Sequence, residues 1–429
     1  MCKNLSFKDC ELAILRASVD SSEKIQGRQI VKTPEMQKIN RLLLSFIKKK
    51  KCIVYGGTAI NAILPKHDQF YEYDFELPDF DFFSPDALEI AKELADLYSS
   101  NHFTEVEARS GVHEGTYKVF VNNYSIADIT YLHPELYNSI IKSSIKRNGI
   151  MYAPPNFLRQ SMYFELSHPI SDVSRWEKVL TRLNLLNKNY PLVTKQCEIQ
   201  RHLSSPKLNS GHEEKIFNIV HNCLIKNGVV FIGGYANALY TTYTRFPNVQ
   251  NIPDFDALSI NPKDTILQLQ HALKKEGIVS IIKKHDAIGE ITPVHYSISI
   301  EDEYIAFIYK PTQCVSYNEI IHNGRKMKIG TIDTLLSYYL AFMYADREYF
   351  DENRLLCLSS VLFKVQQENR LAQKGLLKRF VLQCYGKQDT IQDIRTKKNK
   401  LRKSLSKHSK QYQELFLKYT PRTRKNKLT

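Results

Sequence analysis

The sequence predicts an α+β protein that contains two related domains in tandem, and three observations support this prediction. The 429-residue chain has 43% hydrophobic and 24% charged residues, so it can bury cores of ordinary size and is long enough for two domains. A short apolar strand, a Gly-Gly pair, a helix and an Asp-x-Asp strand follow one another in that order. This order occurs twice, which indicates a duplicated domain.

Composition excludes several classes of protein. There is no run of 18 or more apolar residues, and the first 20 residues mix Lys and Asp without the apolar run of a signal peptide. We therefore expect neither a secreted protein nor a membrane-spanning one, and no membrane partner. The eight cysteines are scattered without a Cys-x-x-Cys pair, which predicts neither a disulfide framework nor a zinc site and fits a reducing compartment.

The net charge of +15 is concentrated at the C-terminal end. Residues 395–429 carry 13 Lys and Arg but a single acid, Glu414, which leaves only about +3 for the rest of the chain. Each basic side chain near a phosphate releases condensed counterions, so this basic tail is predicted to dock on a polyanion. The alternative is a solvated tail without a binding role.

Local signals define the elements of the first copy. Thr33 followed by Pro34 is typical of a helix start, and apolar residues then recur at helical spacing as far as Ile47. A later helix is predicted from Ser84-Pro85 to about Ser99. The other predicted elements are a strand at Cys52–Tyr55, a turn at Gly56-Gly57, a helix at Thr58–Leu64, a strand at Pro78–Phe83 and a hairpin over Val119–Asp128 that turns at Asn122-Asn123.

The second copy repeats the glycine pair and the acidic strand. Gly57 precedes Asp79 by 22 positions, and Gly234 precedes Asp254 by 20. The strings Pro-Asp-Phe-Asp and Ile-Ala also occur in both copies, as does an Asn-Gly pair further along the chain. The predicted segments are an N-terminal leader (1–32), a catalytic domain (33–192), a linker (193–211), a degenerate domain (212–390) and a basic tail (391–429).

The second copy lacks two of the polar residues found in the first copy. Aligning the shared Ile-Ala places Phe307 where the first copy has Asp128, and Tyr235 stands where the first copy has Thr58. A bulky aromatic beside the glycines obstructs a triphosphate, and two carboxylates cannot complete a two-metal site. The second domain is therefore predicted to be inactive and to close a polyanion-binding cleft or build an interface.

Three carboxylates of the first copy predict a metal site. Asp79 and Asp81 are two apart on a strand, so their side chains share one face. Asp128 is flanked by apolar residues, where an acid needs a partner. Hard oxygen ligands suit Mg²⁺, and three carboxylates can hold two ions roughly 3.5–4 Å apart, one activating an attacking hydroxyl and one holding the leaving pyrophosphate.

The glycine pair predicts a phosphate site beside these acids. Gly56 and Gly57 allow close approach of the backbone, and the following helix offers unpaired N–H groups and the positive end of its dipole. Thr58 adds a hydroxyl. This arrangement favours a bound triphosphate.

A basic helical face provides a second candidate for phosphate contacts. Arg175, Lys178 and Arg182 fall at spacings of three and four, which directs them either at triphosphate or RNA or into a solvated salt-bridge face. Trp176, the single tryptophan, is more typical of core packing than of base stacking.

These motifs resemble the nucleotidyltransferases of the polymerase-beta type and, among them, the poly(A) polymerase catalytic subunits of large cytoplasmic DNA viruses such as poxviruses and mimivirus relatives. The resemblance covers both domains. It rests on Tyr55-Gly-Gly-Thr-Ala-Ile-Asn61, Pro78-Asp-Phe-Asp-Phe-Phe83, Ile126-Ala-Asp-Ile129, Phe164-Glu-Leu-Ser-His-Pro169, Asp172-Val-Ser-Arg-Trp-Glu-Lys-Val179 and Arg182-Leu-Asn-Leu-Leu-Asn187.

The resemblance implies two nucleotidyltransferase-like domains, each with a mixed sheet flanked by helices, the second one degenerate. It implies ATP as the donor and template-independent addition of AMP to an RNA 3′ end with two Mg²⁺ or Mn²⁺ ions. Asp79 and Asp81 would bind both metals, and Asp128 the one that activates the 3′-hydroxyl. The gap between the glycines and Asp79 is longer than in most cellular relatives, so the role of Tyr71–Leu77 stays open.

The resemblance also implies a partner and a place of action. The partner is either a second copy of the chain or a processivity subunit, and the place is the host cytoplasm, in a viral factory, or the virion. Two other functions share the residues named above. One is a non-catalytic RNA-binding or scaffolding subunit, and the other is a different terminal transferase, for uridine, CCA or nucleotide transfer to protein.

Overall fold

The computed structural model of the protein describes residues 6–72, 80–192, 194, 197, 210–244, 255–322, 324–369 and 372–421. Asp79, Asp254, most of the predicted linker and the end of the basic tail lie outside the described residues. The chain forms two compact units. The first contains Met1–Leu132, Ser143–Ala153 and Lys397–Thr429, and the second contains His133–Lys142 and Pro154–Thr396.

The strands alternate with helices along most of the chain. In chain order the strands are β1 (Ile53–Val54), β2 (Phe80–Ser84), β3 (Val106–Ser110), β4 (Thr116–Val121), β5 (Tyr124–Tyr131), β6 (Ile145–Arg147), β7 (Ile150–Tyr152), β8 (Val230–Phe231), β9 (Phe255–Leu258), β10 (Ile281–His285), β11 (His295–Ile300), β12 (Glu303–Tyr309), β13 (Val315–His322), β14 (Arg325–Gly330), β15 (Cys384–Tyr385) and β16 (Lys418–Tyr419).

The α-helices flank these strands. They are α1 (Phe7–Val31), α2 (Pro34–Lys50), α3 (Gly56–Ile63), α4 (Ala87–Ser100), α5 (Pro134–Ser143), α6 (Pro155–Leu166), α7 (Trp176–Asn189), α8 (Ser210–Lys226), α9 (Gly234–Thr241), α10 (Pro262–Lys275), α11 (Ile332–Phe342), α12 (Glu352–Glu368), α13 (Ile391–Ser404) and α14 (Lys410–Phe416). Among the described residues, no helix has the length and apolar character needed to cross a membrane.

Each unit contains one eight-stranded mixed sheet, and seven strands follow the same order in both sheets, while the eighth strand lies at opposite edges, β16 beside β3 and β15 beside β13. The first sheet runs β16-β3-β4-β5-β2-β1-β7-β6 and the second runs β10-β11-β12-β9-β8-β14-β13-β15. The pairs β1/β7 and β2/β5 are parallel, and so are the corresponding pairs β8/β14 and β9/β12. The prediction of two related α+β copies with mixed sheets is therefore confirmed.

The two sheets also share an irregularity. The register between β4 and β5 shifts between Val119 and Phe120, and the register between β11 and β12 shifts between Ile298 and Ser299. In both copies the residue before the shift pairs with the Ala of the shared Ile-Ala string. A β-bulge re-aims the side chains that follow it, so this feature sets which residues of the hairpin face the acidic strand.

Local signals place the first elements as predicted. Thr33 caps α2, since its hydroxyl accepts a hydrogen bond from the Met36 N–H (3.2 Å). The β4–β5 hairpin turns at Asn122 and Asn123, whose φ angles are 50° and 65°, as a type I′ turn requires. The helix after the first strand begins at Gly56, two residues earlier than predicted.

The C-terminal segment takes part in the first sheet. Strand β16 pairs with the edge strand β3, and the Ser110 N–H donates to the Leu417 carbonyl (3.0 Å). Leu415 and Leu417 are buried, and the Tyr419 hydroxyl donates to Asp96 (2.7 Å). The part of the basic tail from Lys397 onward therefore belongs to the first compact unit.

The compact units differ in extent from the predicted domains. Helices α6 and α7 follow the first sheet in the sequence but lie in the second unit, where α6 packs against α11. Helix α6 follows β7 as α11 follows β14, so the pair also reflects the duplication. Compactness and common ancestry are different criteria, and the predicted domain boundaries stay a prediction.

Two disulfides join cysteines of the second unit. Cys197 is bonded to Cys357 and Cys314 to Cys384, at sequence separations of 160 and 70. The prediction that the cysteines form no disulfide was wrong at these pairs. Separations this long leave no local pattern, because the fold alone brings the partners together.

We expect loss of β16 to destabilise the first sheet. A chain that ends at Ser404 lacks buried Leu415 and Leu417, each contributing about 1.5–3 kcal/mol, and leaves the β3 edge unpaired. Its free energy of unfolding should fall by about 3 kcal/mol or more, and the Ser110 amide should exchange hydrogen faster. A chain that ends at Pro421 keeps β16 and serves as the control. Equal exchange at Ser110 in both truncated chains would contradict the role of this strand.

Candidate active site

Three charged side chains form a row across adjacent strands of the first sheet. Asp81 on β2 pairs in register with Asp128 on the parallel strand β5. Asp128 pairs in turn with Lys118 on the antiparallel strand β4. Residues in register on neighbouring strands share one face about 4.8 Å apart, so Lys118, Asp128 and Asp81 lie side by side.

The neighbouring residues of the same strands form the hydrophobic core. Phe82, Ile129 and Tyr117 pair across β2, β5 and β4 and are buried. Helix α4 packs on this sheet with apolar residues at helical spacing. The alternation of strand side chains buries one face and leaves the charged row on the other.

Asp128 has one satisfied and one unsatisfied oxygen. Its Oδ2 accepts a hydrogen bond from the Lys118 ammonium, which also forms an ion pair with it. Its Oδ1 is buried and has no hydrogen-bond partner among the described residues. An unsatisfied buried polar group costs about 1–3 kcal/mol. A hard divalent cation would supply the missing partner, so this carboxylate fits the implied metal.

Gly56 allows the acidic strand to approach the helix. Its φ is +68°, and a Cβ built on it would lie 2.8 Å from Asp81 Oδ2. The Tyr55 N–H donates to the Asp81 carbonyl (2.9 Å), which fixes β2 against the start of α3. The Asp81 carboxylate therefore packs directly against the first turn of this helix, where the backbone accepts only glycine without displacement.

Helix α3 is held at its far end by a residue that the sequence analysis missed. Arg147 donates to the carbonyl oxygens of Ala62 (2.6 Å) and Ile63 (2.9 Å), which have no partner within the helix. Asn61 accepts a hydrogen bond from the Phe70 N–H (2.7 Å) and so ties down the chain that leaves the helix. The one available signal was that Arg147 precedes the Asn-Gly turn, which places it at the end of a hairpin.

Tyr55 borders the charged row. Its ring stacks on Phe83, with the centroids 3.8 Å apart, and its hydroxyl is 2.9 Å from the Thr130 hydroxyl. Thr130 also lies within hydrogen-bond distance of Thr116 (3.2 Å). These contacts join β2, β4 and β5 two residues beyond the charged row.

The structure brings together part of the predicted site. Asp81, Asp128, Gly56, Gly57 and Thr58 lie around the start of α3, where Gly57 and Thr58 are buried. Asp79 lies outside the described residues. Over the ranges that the structure describes, no group of three or more acidic, His or Cys side chains forms a metal cluster, so the three-carboxylate site stays a prediction.

The predicted basic residues lie in the second unit. Arg175 is exposed, and its Nε is 3.3 Å from Glu165 Oε1. Burial raises the pKa of Glu165, and the Arg175 charge opposes this shift. Lys178 is also exposed. Trp176 donates from its indole to the Glu165 carbonyl (3.2 Å), and its ring lies 5.7 Å from that of Phe380. The nucleotide-binding roles of Arg175 and Lys178 stay predictions.

The second copy carries the alignment that the sequence predicts. Phe307 pairs with Asp256 as Asp128 pairs with Asp81. Tyr309 donates from its hydroxyl to Asp256 Oδ1 (3.2 Å). Asp256 therefore has a neutral hydrogen-bond partner, Tyr309, and faces Phe307 where the first copy has a second carboxylate. Asp254 lies outside the described residues.

Tyr235 of the second copy is a core residue. Its ring packs against Phe231 and Phe255, with centroids 5.1 and 5.2 Å apart, and its hydroxyl is 2.8 Å from His221 Nε2. Burial raises its pKa well above the usual value. Tyr235 thus packs in the aromatic core of the second unit, and the predicted obstruction of a triphosphate stays a prediction.

Lys118 is a second charged residue that the sequence analysis missed. If β4 and β5 paired without a bulge, counting residue pairs outward from the Asn122-Asn123 turn would place Tyr117 opposite Asp128. The register shift after Val119 moves Lys118 into that position. A bulge leaves no clear pattern in one strand of a hairpin, so the sequence offered no direct signal for this contact.

Comparisons with known proteins point to one family. The sequence model of the family "Poly(A) polymerase catalytic subunit" matches residues 41–172. A poly(A) polymerase catalytic subunit of African swine fever virus (strain Badajoz 1971 Vero-adapted) is 32% identical over 164 residues, which are 37% of this chain and 34% of that protein. A relative of the same description from Acanthamoeba polyphaga mimivirus is 26% identical over 360 residues, 75% of this chain and 60% of that protein.

A solved structure shares the fold. The crystal structure of the Megavirus polyadenylate synthase superposes with a TM-score of 0.80 at 21% identity, over 98% of this chain and 86% of that one. The resemblance to poly(A) polymerase catalytic subunits of large DNA viruses is thus confirmed. The aligned part of the chain spans about a third of the African swine fever virus relative and 60% of the mimivirus relative.

We expect Gly56→Ala to disrupt the site beyond its effect on stability. The new Cβ would meet Asp81 Oδ2, so the carboxylate must move. Gly149→Ala is the matched control, because Gly149 also has a positive φ (+81°) but a Cβ there meets only the Lys48 side chain at 3.5 Å. Both variants should lose about 1–2 kcal/mol of stability from backbone strain, measured by urea unfolding. Only Gly56→Ala should weaken Mn²⁺ binding, and equal Mn²⁺ affinities would contradict the packing argument.

Proposed function

We propose that the protein is an RNA adenylyltransferase like the viral poly(A) polymerase subunits that it matches. It transfers AMP from ATP to an RNA 3′-hydroxyl without a template and uses two Mg²⁺ or Mn²⁺ ions held by Asp79, Asp81 and Asp128. The observation that carries the proposal is the in-register pair of Asp81 and Asp128 beside the glycine start of α3. This pair lies within the stretch that matches the family.

In this proposal, different residues of the first unit bind the metal ions and the triphosphate. Asp81 and Asp128 present hard oxygens on one face of the sheet, and the unsatisfied Oδ1 of Asp128 supports a cation there. The N-terminus of α3, with Gly56 and Gly57, takes the triphosphate. Bound metal ions supply positive charge that favours a deprotonated 3′-hydroxyl and offsets the charge of departing pyrophosphate.

Three further residues are proposed to contact phosphates. Thr58 adds a hydroxyl within the first turn of α3, and the exposed cations Arg175 and Lys178 suit the phosphates of ATP or RNA. The second copy serves RNA binding or an interface and transfers no nucleotide, because Phe307 and Tyr235 fill the places of an acid and a small hydroxyl.

We further propose a partner and a place of action for this activity. The partner is a second copy of the chain or a processivity subunit, and the place is the host cytoplasm, in a viral factory, or the virion. Both are what the resemblance to the viral poly(A) polymerase subunits implies.

The activity test uses the purified chain with a short labelled RNA, Mg²⁺ or Mn²⁺, and each nucleoside triphosphate separately. We expect extension with ATP. Extension with UTP or CTP in place of ATP would indicate another terminal transferase, and RNA binding without extension would indicate a non-catalytic subunit.

We expect Asp81→Ala and Asp128→Ala to lower AMP incorporation at saturating RNA by about 100-fold or more, because each removes a metal ligand. RNA binding, measured by filter retention, should survive in both. Asp256→Ala is the matched control in the second copy and should retain AMP incorporation. Loss of incorporation in Asp256→Ala, or its survival in Asp128→Ala, would show that the second copy is the active one. Asp79→Ala should behave like Asp81→Ala.

Helix α13 is the proposed RNA-binding part of the basic tail. Thr390 and Asp393 cap its start through reciprocal hydrogen bonds, and Asp393 is the single acid of the helix. Lys398 is partly buried and donates to the Gly111 carbonyl (2.9 Å). The remaining basic residues, among them Lys400, Arg402 and Lys403, are exposed.

We expect Lys400→Gln, Arg402→Gln and Lys403→Gln together to weaken RNA binding and flatten its salt dependence. The slope of log affinity against log salt should fall by about 0.7 for each phosphate of a single strand that the helix no longer neutralises. Substitution is a sharper test than truncation because it leaves β16 in place. The control is Lys263→Gln, Lys274→Gln and Lys275→Gln on α10, which removes the same charge from a helix that also carries an acid. An unchanged slope in the α13 variant would mean that this helix is only solvated.

A further inference from the structure

The ion pair between Lys118 and Asp128 is the starting observation. The two residues pair across β4 and β5, and their side chains are 38% and 18% exposed. Lys118 contacts Oδ2 and leaves the buried Oδ1 without a partner among the described residues. The next residue in the row is another acid, Asp81. The ammonium therefore stands beside Asp128 on the face of the candidate metal site, and Asp81 lies one strand further along the same row.

The second copy shows what accompanies the loss of the third acid. Where the first copy has Asp128 the second has Phe307, and where the first has Lys118 the second has Ser297. Ser297 is buried and lies 2.9 Å from His285 Nε2. The lysine and the acid thus occur together in one copy and are absent together from the other, although the strands and their bulge are the same.

We propose that Lys118 is a built-in counter-cation of the metal site. In the metal-free protein its ammonium neutralises Asp128 and limits repulsion between Asp128 and Asp81, and it holds Oδ2 so that Oδ1 stays available to an incoming metal ion. The same charge opposes the binding of a divalent cation, so Lys118 weakens metal binding until other negative charge arrives, such as a triphosphate. Lys118 is a positioning residue, and this role rests on the proposed function only in that Asp128 is a metal ligand.

Removal of the positive charge of Lys118 has two linked consequences. Without the ammonium the metal-free protein holds adjacent carboxylates with less compensation, so it becomes less stable. A metal ion then relieves more repulsion and meets no competing cation, so it binds more tightly. A purely structural lysine would lower stability without tightening metal binding.

The experiment uses the full chain and Mn²⁺ alone, with neither RNA nor nucleotide. Lys118→Met keeps the apolar stem and removes the charge, Lys118→Arg keeps the charge, and Lys50→Met removes a different ion pair, with Glu93, in the same unit. Free Mn²⁺ is measured by electron paramagnetic resonance, and thermal unfolding is followed in EDTA and in Mn²⁺. We expect Lys118→Met to bind Mn²⁺ about fivefold more tightly or better, to melt earlier in EDTA and to be stabilised more by Mn²⁺ than the wild type. Lys118→Arg and Lys50→Met should keep the wild-type affinity.

Asp128→Asn provides the background that isolates the pair. In that background Lys118→Met should no longer change Mn²⁺ affinity, because the carboxylate it compensates is gone. An unchanged or weaker Mn²⁺ affinity in Lys118→Met would overturn the proposal, and so would an equal effect of Lys118→Met with and without Asp128. Neither result depends on RNA extension, so a chain that binds Mn²⁺ as expected but fails to add AMP would refute the proposed function and leave this inference standing.

Discussion

The in-register pairing of β2 with β5 is the constraint on which the rest of the first unit depends. It sets two carboxylates, Asp81 and Asp128, side by side on one face of a sheet whose other face is hydrophobic core. Adjacent negative charges on a partly buried surface require compensation. The surrounding structure meets this requirement with an ammonium on β4 and with a glycine that lets the first turn of α3 approach Asp81. The buried Asp128 Oδ1 has no hydrogen-bond partner among the described residues, so this oxygen stays uncompensated there.

The second copy shows that the fold and the chemistry are separable. It keeps the order of seven strands, the parallel pairs and the bulge of the first copy. These features depend on backbone pairing and on apolar packing, to which the buried side chains of Phe307 and Tyr235 contribute. The charged row is replaced by Ser297, Phe307 and Asp256, and the remaining acid takes a hydrogen bond from Tyr309. The same sheet architecture therefore accommodates different side chains at the positions of the charged row.

The C-terminal segment combines two physical roles that composition alone does not separate. Its charge lies on exposed positions of α13, whereas two of its apolar residues, Leu415 and Leu417, are buried in the first unit. Strand β16 then covers the β3 edge, which removes a row of unpaired backbone groups. The net charge of the segment predicts polyanion binding, but it does not predict the pairing of β16 with the sheet.

The sequence by itself determined the local elements and the duplication, because caps, turns and repeated strings act over a few residues. Thr33 and Pro34 start α2, the Asn122-Asn123 turn forms, and the shared Ile-Ala places Phe307 opposite Asp256 as Asp128 lies opposite Asp81. The contact of Lys118 with Asp128, the two disulfides and the pairing of β16 were decided only by the tertiary structure. The first depends on a bulge that shifts the register by one residue, and the others join segments far apart in the chain. Such contacts form through the packing of the whole sheet, and no short stretch of sequence encodes them.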